Sequence, residues 1–474
     1  MVQAELTLPI HIASMGGLMN CVLEKYGDEI NEGDIFVAND PHTAGGTHLP
    51  DINYAMPVFI DGEIVAFICN IAHHADIGGM VPGSMAGGMS EIYQEGLRIP
   101  VVRLFKKGEI QQDIMDIMLL NVRVPEERQG DHNAQIASCR LGERRFKEVV
   151  KVHGLKNVLT SFDEIISRTH QRMKDTIAQI PDGVYEFKDY MDSDGLDTFD
   201  IPICLKLTVD GERIHLDFAG TSQQVKGNIN TTLTAVQASV NYALIGSLDS
   251  EMPSNQGVLD AVEIDCEPGT ILNCLFPAPV AARAHVCQRV IDIVVGTLSN
   301  AIPDKVIAAA NGANTTAVFS GVDPRTNKPY LYFETIGGGM GARATKDGKD
   351  GVQVGITNTS NLPVESIEQE YPLRVEEYGF VENSGGAGQF RGGLGLRRVL
   401  TPVDHECVFN GAGERFRYKP WGLFGGEAGA SGQFMIEDSD GNRRLDDKPN
   451  EVEVKLGTKI TVETPGAGGY GNPE

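Results

Sequence analysis

The sequence predicts an α+β fold of mixed type, with helices mainly in the first two-thirds and a C-terminal third rich in strands and glycine turns. Helical stripes fall before residue 180, and strand patterns with Asp-Gly turns dominate from Val184. Glycine, 55 of 474 residues, is clustered at Gly337 to Gly341, Gly385 to Gly395, Gly422 to Gly429 and Gly466 to Gly471, with no collagen or solenoid period. That is about 12% of the chain against a usual ~7%, and such clusters mark turns needing positive φ or close backbone packing.

The elements follow in order. Residues 13–30 form an expected helix, with Met15, Leu18, Met19, Val22, Leu23 and Tyr26 on one stripe. Asp34 to Ala38 reads as a strand. Pro57 to Ile60 and Glu63 to Ile68 flank Asp61-Gly62, a hairpin turn. A helix is expected over 131–153, with Gly154 as its stop, and a second over about 160–179, where Ser161-Phe162-Asp163-Glu164 suits a capping box. The two read as a helical hairpin. Turns at Asp194-Gly195 and Asp210-Gly211 separate strands, and Ile291 to Ile302 reads as a short buried helix. Four regions are expected: 1–130 with a metal loop, 131–180 helical, 181–314 mixed, and 315–474 mainly β.

Composition sets the class. Charged residues are 22% and hydrophobic residues 41%, which describes a globular chain. No apolar run approaches the roughly 18 residues of a membrane span, and Met1 to Glu5 shows no signal-peptide pattern. A net charge of −25 argues against nucleic acid and anionic membrane as partners. The eight cysteines form no Cys-x-x-Cys pair and read as reduced core thiols of a cytoplasmic protein.

The chemistry-bearing stretch lies near the N-terminus. His42, His48, His73 and His74 fall within 33 residues of one another, together with Asp40, Asp51 and Asp76. His48 and Asp51 are three apart, and His73 lies 25 beyond His48. Two imidazoles and a carboxylate hold one Mn, Fe or Zn ion with coordination positions left open for substrate or water. Gly45-Gly46 and Pro50 make the segment a loop, delivered by the strand before it. His73 and His74 leave a strand end, where neighbouring side chains point to opposite faces, so one of the two faces the metal. His74, Asp76 and Asp40 are candidates for orienting the ligands or moving protons, with turn hydrogen bonding as the alternative role.

Other motifs are weak. Gly337, Gly339 and Gly341 form G-x-G-x-G, but no helical run follows, so a dinucleotide site is not expected. No G-x-x-x-x-G-K-[ST] loop and no G-x-S-x-G elbow occur. Ser84, in Pro82-Gly83-Ser84, reads as a turn residue.

Several stretches together resemble the hydantoinase B/oxoprolinase family. They are Gly33 to Asp51, His73 to Gly79, Asp217 to Ser222 with Lys226-Gly227, Pro277 to Arg283, and Thr357-Asn358-Thr359. Further matches are Ser384 to Gly388 with Arg391 to Gly395, Glu414-Arg415, and Pro465 to Gly471. The resemblance spans essentially the whole chain. It implies a subunit of an ATP-dependent amidohydrolase opening a cyclic amide such as a hydantoin or 5-oxoproline. A hydantoinase A-type partner would bind ATP and phosphorylate the small-molecule substrate within a hetero-oligomer. The family's His-x-x-Asp and downstream His fall on His48, Asp51 and His73. The alternative it implies is a subunit of an ATP-dependent ketone carboxylase of acetone or acetophenone type. Two departures stand out. Relatives begin well upstream of the stretch Gln3-Ala4-Glu5, and the resemblance implies that an acidic residue from such a segment, or from a partner, contributes to the metal site. Gly355 stands where many relatives carry His, which implies an altered substrate-side contact.

Overall fold

The structure, a computed structural model, describes residues 1–3, 8–11 and 14–473. Ala4, Glu5 and the expected helix start at Ala13 lie outside the described residues. Helix α1 (Ser14–Tyr26) buries Leu18 and Val22. It ends earlier than expected, because Gly27 takes φ 41° and opens a 3-10 turn. Leu23, expected on the buried stripe, is 48% exposed.

The first sheet is antiparallel, in the order β3-β2-β1-β4-β5. Its strands are β1 (Ile35–Ala38), β2 (Asp51–Ile60), β3 (Glu63–His73), β4 (Val102–Lys106) and β5 (Glu109–Ile110). Helix α2 (Gln112–Leu120) follows, and α3 (Pro125–His153) lies against β2 and β3, where Gln135 donates to the Ile52 carbonyl (2.8 Å).

Helix α4 (Leu155–Ile177) begins directly after Gly154, so the expected capping box is displaced. Ser161 sits inside the helix, and its hydroxyl donates back to the Asn157 carbonyl. Phe146 of α3 packs on Phe162 of α4, with ring centroids 6.1 Å apart.

The second sheet runs β6 (Gly183–Ser193), β7 (Phe199–Asp210), β8 (Arg213–Asp217) and β9 (Val262–Asp265). Alternate residues of β7, from Ile201 to Val209, enter the largest core. That core also takes α5 (Leu233–Leu248) and α7 (Arg283–Leu298), while α6 (Gln256–Leu259) is a single turn. Helix α7 is buried along its whole length and starts eight residues before the expected Ile291. Its first two turns carry Arg283, His285, Gln288 and Arg289 among apolar residues, which masked the helical pattern.

The last third carries β10 (Thr316–Asp323), β11 (Lys328–Thr335), the short α8 (Val364–Glu370), β12 (Leu373–Phe380), β13 (Leu396–Pro402), β14 (Cys407–Ala412), β15 (Gln433–Asp438), β16 (Gly441–Arg444), β17 (Val452–Val454) and β18 (Lys459–Glu463). They form the sheets β11-β10-β14-β17 and β12-β13-β18-β15-β16. A core containing Phe319, Phe409, Phe434, Leu400 and Ile460 lies between them. No helix among the described residues is long and apolar enough to cross a membrane, and all eight cysteines are free.

Of the two causes expected for the glycine clusters, the run from Gly385 to Gly395 shows only close packing: none of its glycines takes positive φ. Backbone meets backbone there instead. A Cβ on Gly392 would lie 1.9 Å from the Ala467 carbonyl oxygen. Gly339 packs in the same way against the Gly393 carbonyl and Gly466, and strand or loop follows it, not a helix. Gly392→Ala is therefore expected to lower stability by about 2 kcal/mol or more, an overpacking cost. Thermal unfolding reads this directly.

A buried ionic cluster ties α7 and β6 to the C-terminal third. Asp189 lies 3.2 Å from Arg289 and 2.9 Å from Arg415, and Arg415 also meets Asp292 at 2.5 Å. Burial opposes ionisation of Asp189, but Arg415 and Arg289 hold its carboxyl down to about 2, against an ordinary 3.8. A depressed folded value stabilises above the ordinary value and is lost as pH falls through the folded one. Asp189 should thus contribute about 2 kcal/mol above pH 4, fading towards pH 2. Urea unfolding of wild type and Asp189→Asn from pH 7 to 3 should show their stability gap narrowing only at the acidic end.

Candidate active site

The β2–β3 hairpin brings the expected ligands together. Its Asp61-Gly62 turn pairs Ile60 with Glu63, a register that alone would set Asp51 opposite Ala72. An irregularity between Val58 and Phe59 shifts the pairing by one residue, and His73 comes to face Asp51. The loop from Asn39 to Pro50 joins the end of β1 to the start of β2 and carries His48 back over the same sheet end. Asn39 staples it: its side-chain amide donates to the Leu49 and Leu97 carbonyls (2.8 and 2.9 Å) and its Oδ1 accepts from Ile99 N–H (2.6 Å). Gly45, at φ 70°, lies so close to Gly17 of α1 that a Cβ would come within 2.4 Å of the Gly17 backbone. A side chain at 45 would therefore lift the loop off α1.

Asp51 is the hub. Its Oδ2 lies 2.8 Å from His48 Nδ1 and accepts from Thr47 Oγ1 (2.5 Å) and Arg283 Nη2 (2.5 Å). Arg283 Nη2 also donates to Thr47 Oγ1 at 2.8 Å. Asp51 Oδ1 has no hydrogen bond among the described residues, and His11 Nε2 stands 3.8 Å from it. The His48 and His73 rings are 5.0 Å apart.

Burial moves these groups strongly. It pushes His48 down to about 4, with the Arg283 charge adding to the effect. It lowers His11, and the crowded neighbours His48 and Arg283 help lower His73, although that residue stays open to solvent at the strand end. Burial opposes the charge on Asp51, but His48, His11 and the permanent charge of Arg283 outweigh it, and the carboxyl lies well below its usual range. At neutral pH the cluster is three neutral imidazoles around an ionised carboxylate.

Of the other expected residues, Asp40 braces the loop. It accepts from the His42 and Thr43 backbone N–H groups (2.9 Å each) and from Arg98 Nε (2.5 Å). His42 bonds the Ala278 carbonyl through Nε2 (3.0 Å). His74 points away from the cluster, to Gln135 Oε1 (2.9 Å), with its ring 4.6 Å from that of His132. Asp76 is taken up by a neighbouring loop, accepting from Gly78 N, Gly83 N, Arg123 N and Arg123 Nη1. The structure thus brings His48, Asp51 and His73 together and leaves Asp40, His74 and Asp76 in supporting positions. Ser84 bonds only backbone, to Ile77 N–H and the Gly78 carbonyl.

Two residues of the cluster carry no local sequence signal. His11 comes from a 3-10 turn, Pro9–His11, before α1, and Arg283 opens α7 more than 230 residues after Asp51. The loop Pro277 to Ala282 sets Arg283 in place: Ala281 N–H donates to Glu95 Oε1 (2.7 Å) and Ala282 N–H to the Asn228 carbonyl (2.9 Å).

The cluster floors a cavity of about 420 Å³ whose other walls come from β11, the segment after Gly355 and Tyr371. Asn314 lines it, with Oδ1 buried and lacking a partner among the described residues. Gly355 itself takes φ 60°, and a Cβ there would meet Gln288 Oε1 at 1.9 Å, so this backbone path has no room for a side chain.

As they stand, no three His, Cys, Asp or Glu side chains among the described residues are arranged to hold a metal ion. The donor set nevertheless fits one. It offers neutral imidazoles, an ionised carboxylate with a free oxygen, and a buried ring nitrogen of His11 without a hydrogen bond.

The family model described as hydantoinase B/oxoprolinase matches residues 1–473. The B-type subunit of a putative D-/L-hydantoinase from Pseudomonas sp. strain NS671 is 34% identical over 468 residues, covering 95% of this chain and 78% of its own. A 5-oxoprolinase of Arabidopsis thaliana is 32% identical over 494 residues, 98% of this chain but 37% of that protein. Among solved structures, the ATP-dependent caprolactamase from Pseudomonas jessenii superposes with a TM-score of 0.92 at 29% identity, over 98% of this chain and 82% of that one. Nucleotide-free acetone carboxylase shares the fold, with a TM-score of 0.91 at 20% identity, over 98% of this chain and 69% of that one.

Proposed function

Because the chain belongs to the hydantoinase B/oxoprolinase family, we propose that it is the metal-binding subunit of an ATP-dependent amidohydrolase. It would open a cyclic amide of hydantoin or 5-oxoproline type after a partner subunit has phosphorylated it. The observation that carries the reading is the Asp51 hub at the floor of the cavity, with His48, His73 and His11 around it. The relatives named hydantoinase, caprolactamase and 5-oxoprolinase support the substrate class.

His48, Asp51 and His73 would hold one manganese, zinc or iron ion, with His11 beside the same carboxylate. Such an ion supplies Lewis acidity that brings the pKa of water towards neutrality. The chain's residues do the rest. Arg283 offers N–H groups to charge developing on the carbonyl oxygen. His11, neutral and at the cavity wall, is placed to accept a proton from an attacking water. Asp40 and Arg98 keep the loop fixed from behind, while His74 and Asp76 hold its flanks.

ATP would belong to a hydantoinase A-type partner in a hetero-oligomer. The Gly337 to Gly341 segment supports this division, because Gly337, Gly339 and Gly341 pack against backbone and no helix N-terminus follows them. The isolated chain is expected not to bind ATP in the micromolar range by calorimetry. The reconstituted pair should hydrolyse ATP when given hydantoin or 5-oxoproline. Turnover of acetone plus bicarbonate, with no cyclic amide consumed, would move the assignment to the ketone carboxylases.

A further inference from the structure

We propose that this pocket takes a cyclic amide bearing an uncharged, apolar ring substituent and discriminates against one bearing a carboxylate. The inference rests on the amidohydrolase reading and concerns the part of the cavity lining outside the Asp51 cluster.

The lining has two chemical characters. The reacting part is the imidazole cluster with Asp51 and Arg283. The apolar part is Leu8, Ile10, Phe333, Ile356, Leu362 and Tyr371. This apolar surface begins beside the cluster, for the Phe333 ring is 5.4 Å from that of His73. A bare five-membered ring amide fills only a small part of about 420 Å³. An aryl or branched alkyl substituent would cover the apolar walls that the ring leaves bare.

The charges point the same way. Among the described residues lining the cavity, Arg283 is the sole permanent cation, and Asp51 and Thr47 engage it in the reacting part. The lining also carries Glu334 and Glu370. Glu334 is bound by Arg398, the Tyr332 hydroxyl and Leu362 N–H, so Arg398 is neutralised behind the wall. Beside Tyr371, Arg325 donates to the Glu370 carbonyl but is already paired with Asp323, and Arg128 pairs with Glu127 and Asp131. The chain as a whole carries −25. A carboxylate entering the cavity would lose water and meet no uncommitted cation, with the Glu370 carboxylate as a like charge. The hydroxyls of Thr335, Thr359 and Ser360 still serve uncharged polar groups, such as a second ring carbonyl.

The test uses the chain reconstituted with its ATP-binding partner. Substrates are 5-benzylhydantoin, 5-(2-carboxyethyl)hydantoin, unsubstituted hydantoin and 5-oxoproline. Burial of the benzyl group against these walls predicts a kcat/KM roughly ten- to hundredfold above unsubstituted hydantoin. The two carboxylate-bearing substrates should fall below it. Glu370→Lys should narrow the gap between the benzyl and carboxyethyl compounds at least fivefold. Equal or faster turnover of 5-oxoproline, or a gap that Glu370→Lys leaves unmoved, overturns this inference alone. If no cyclic amide is consumed at all, the amidohydrolase reading falls and this inference goes with it.

Discussion

Asp51→Ala is expected to lose both divalent-metal affinity and about 3–5 kcal/mol of stability, the larger part of a typical domain margin. The two losses have separate causes. The carboxylate is the one anionic ligand of the cluster, so its removal leaves only neutral imidazoles for a cation. It is also the counter-charge of Arg283, whose side chain is 3% exposed and would remain buried without compensation. A double variant separates the effects. Asp51→Ala with Arg283→Met should recover most of the stability in urea unfolding, because a well-packed apolar pair can replace a buried ion pair. It should not recover metal by elemental analysis. His48→Ala should lose metal while keeping more stability than Asp51→Ala, since the Asp51–Arg283 pair stays intact. Full metal occupancy in both Asp51→Ala and His48→Ala would remove the cluster from the chemistry.

What the sequence disclosed follows the range of the interactions involved. The Asp-Gly turn between β2 and β3, the Gly154 stop and the loop signalled by Gly45 and Pro50 are local, and each is readable from a few residues. The spacing of His48, Asp51 and His73 is legible for the same reason: one hairpin and one loop bring the three together. His11 and Arg283 reach the site through tertiary packing of a 3-10 turn and a distant helix start, which no window of sequence contains. The Gly385 to Gly395 run was legible as glycine-dependent but not in its cause. Close backbone packing and positive φ both demand glycine, and only the fold shows that Gly392 sits on Ala467. Helix α7 hid its start for a related reason. A helix buried on every face has no amphipathic stripe, and its arginines answer partners in three other segments, at Asp51, Asp189 and Glu414.

Arg283→Gln should separate metal binding from turnover. The guanidinium places a permanent positive charge 2.5 Å from Asp51 Oδ2, on the carboxylate whose other oxygen a cation would use. At an effective dielectric of about 20 and a separation of about 5 Å, it opposes a bound cation by roughly 3 kcal/mol per unit charge. Relaxation of the side chain reduces that figure, so the expected gain on its removal is a tenfold or greater tightening of manganese or zinc binding in calorimetry. Turnover should move the other way. Arg283 Nε is buried without a partner, and Nη2 reaches both Asp51 and Thr47, so one group orients the ligand carboxylate and leaves an N–H for the substrate side. Losing a donor to developing negative charge costs about a hundredfold in kcat. Measured at saturating metal, Arg283→Gln should therefore bind metal better and turn over more slowly, a combination that general damage to the fold does not produce. Weaker metal binding in this variant would make Arg283 a brace for Asp51 as a ligand and refute its role as a competing charge.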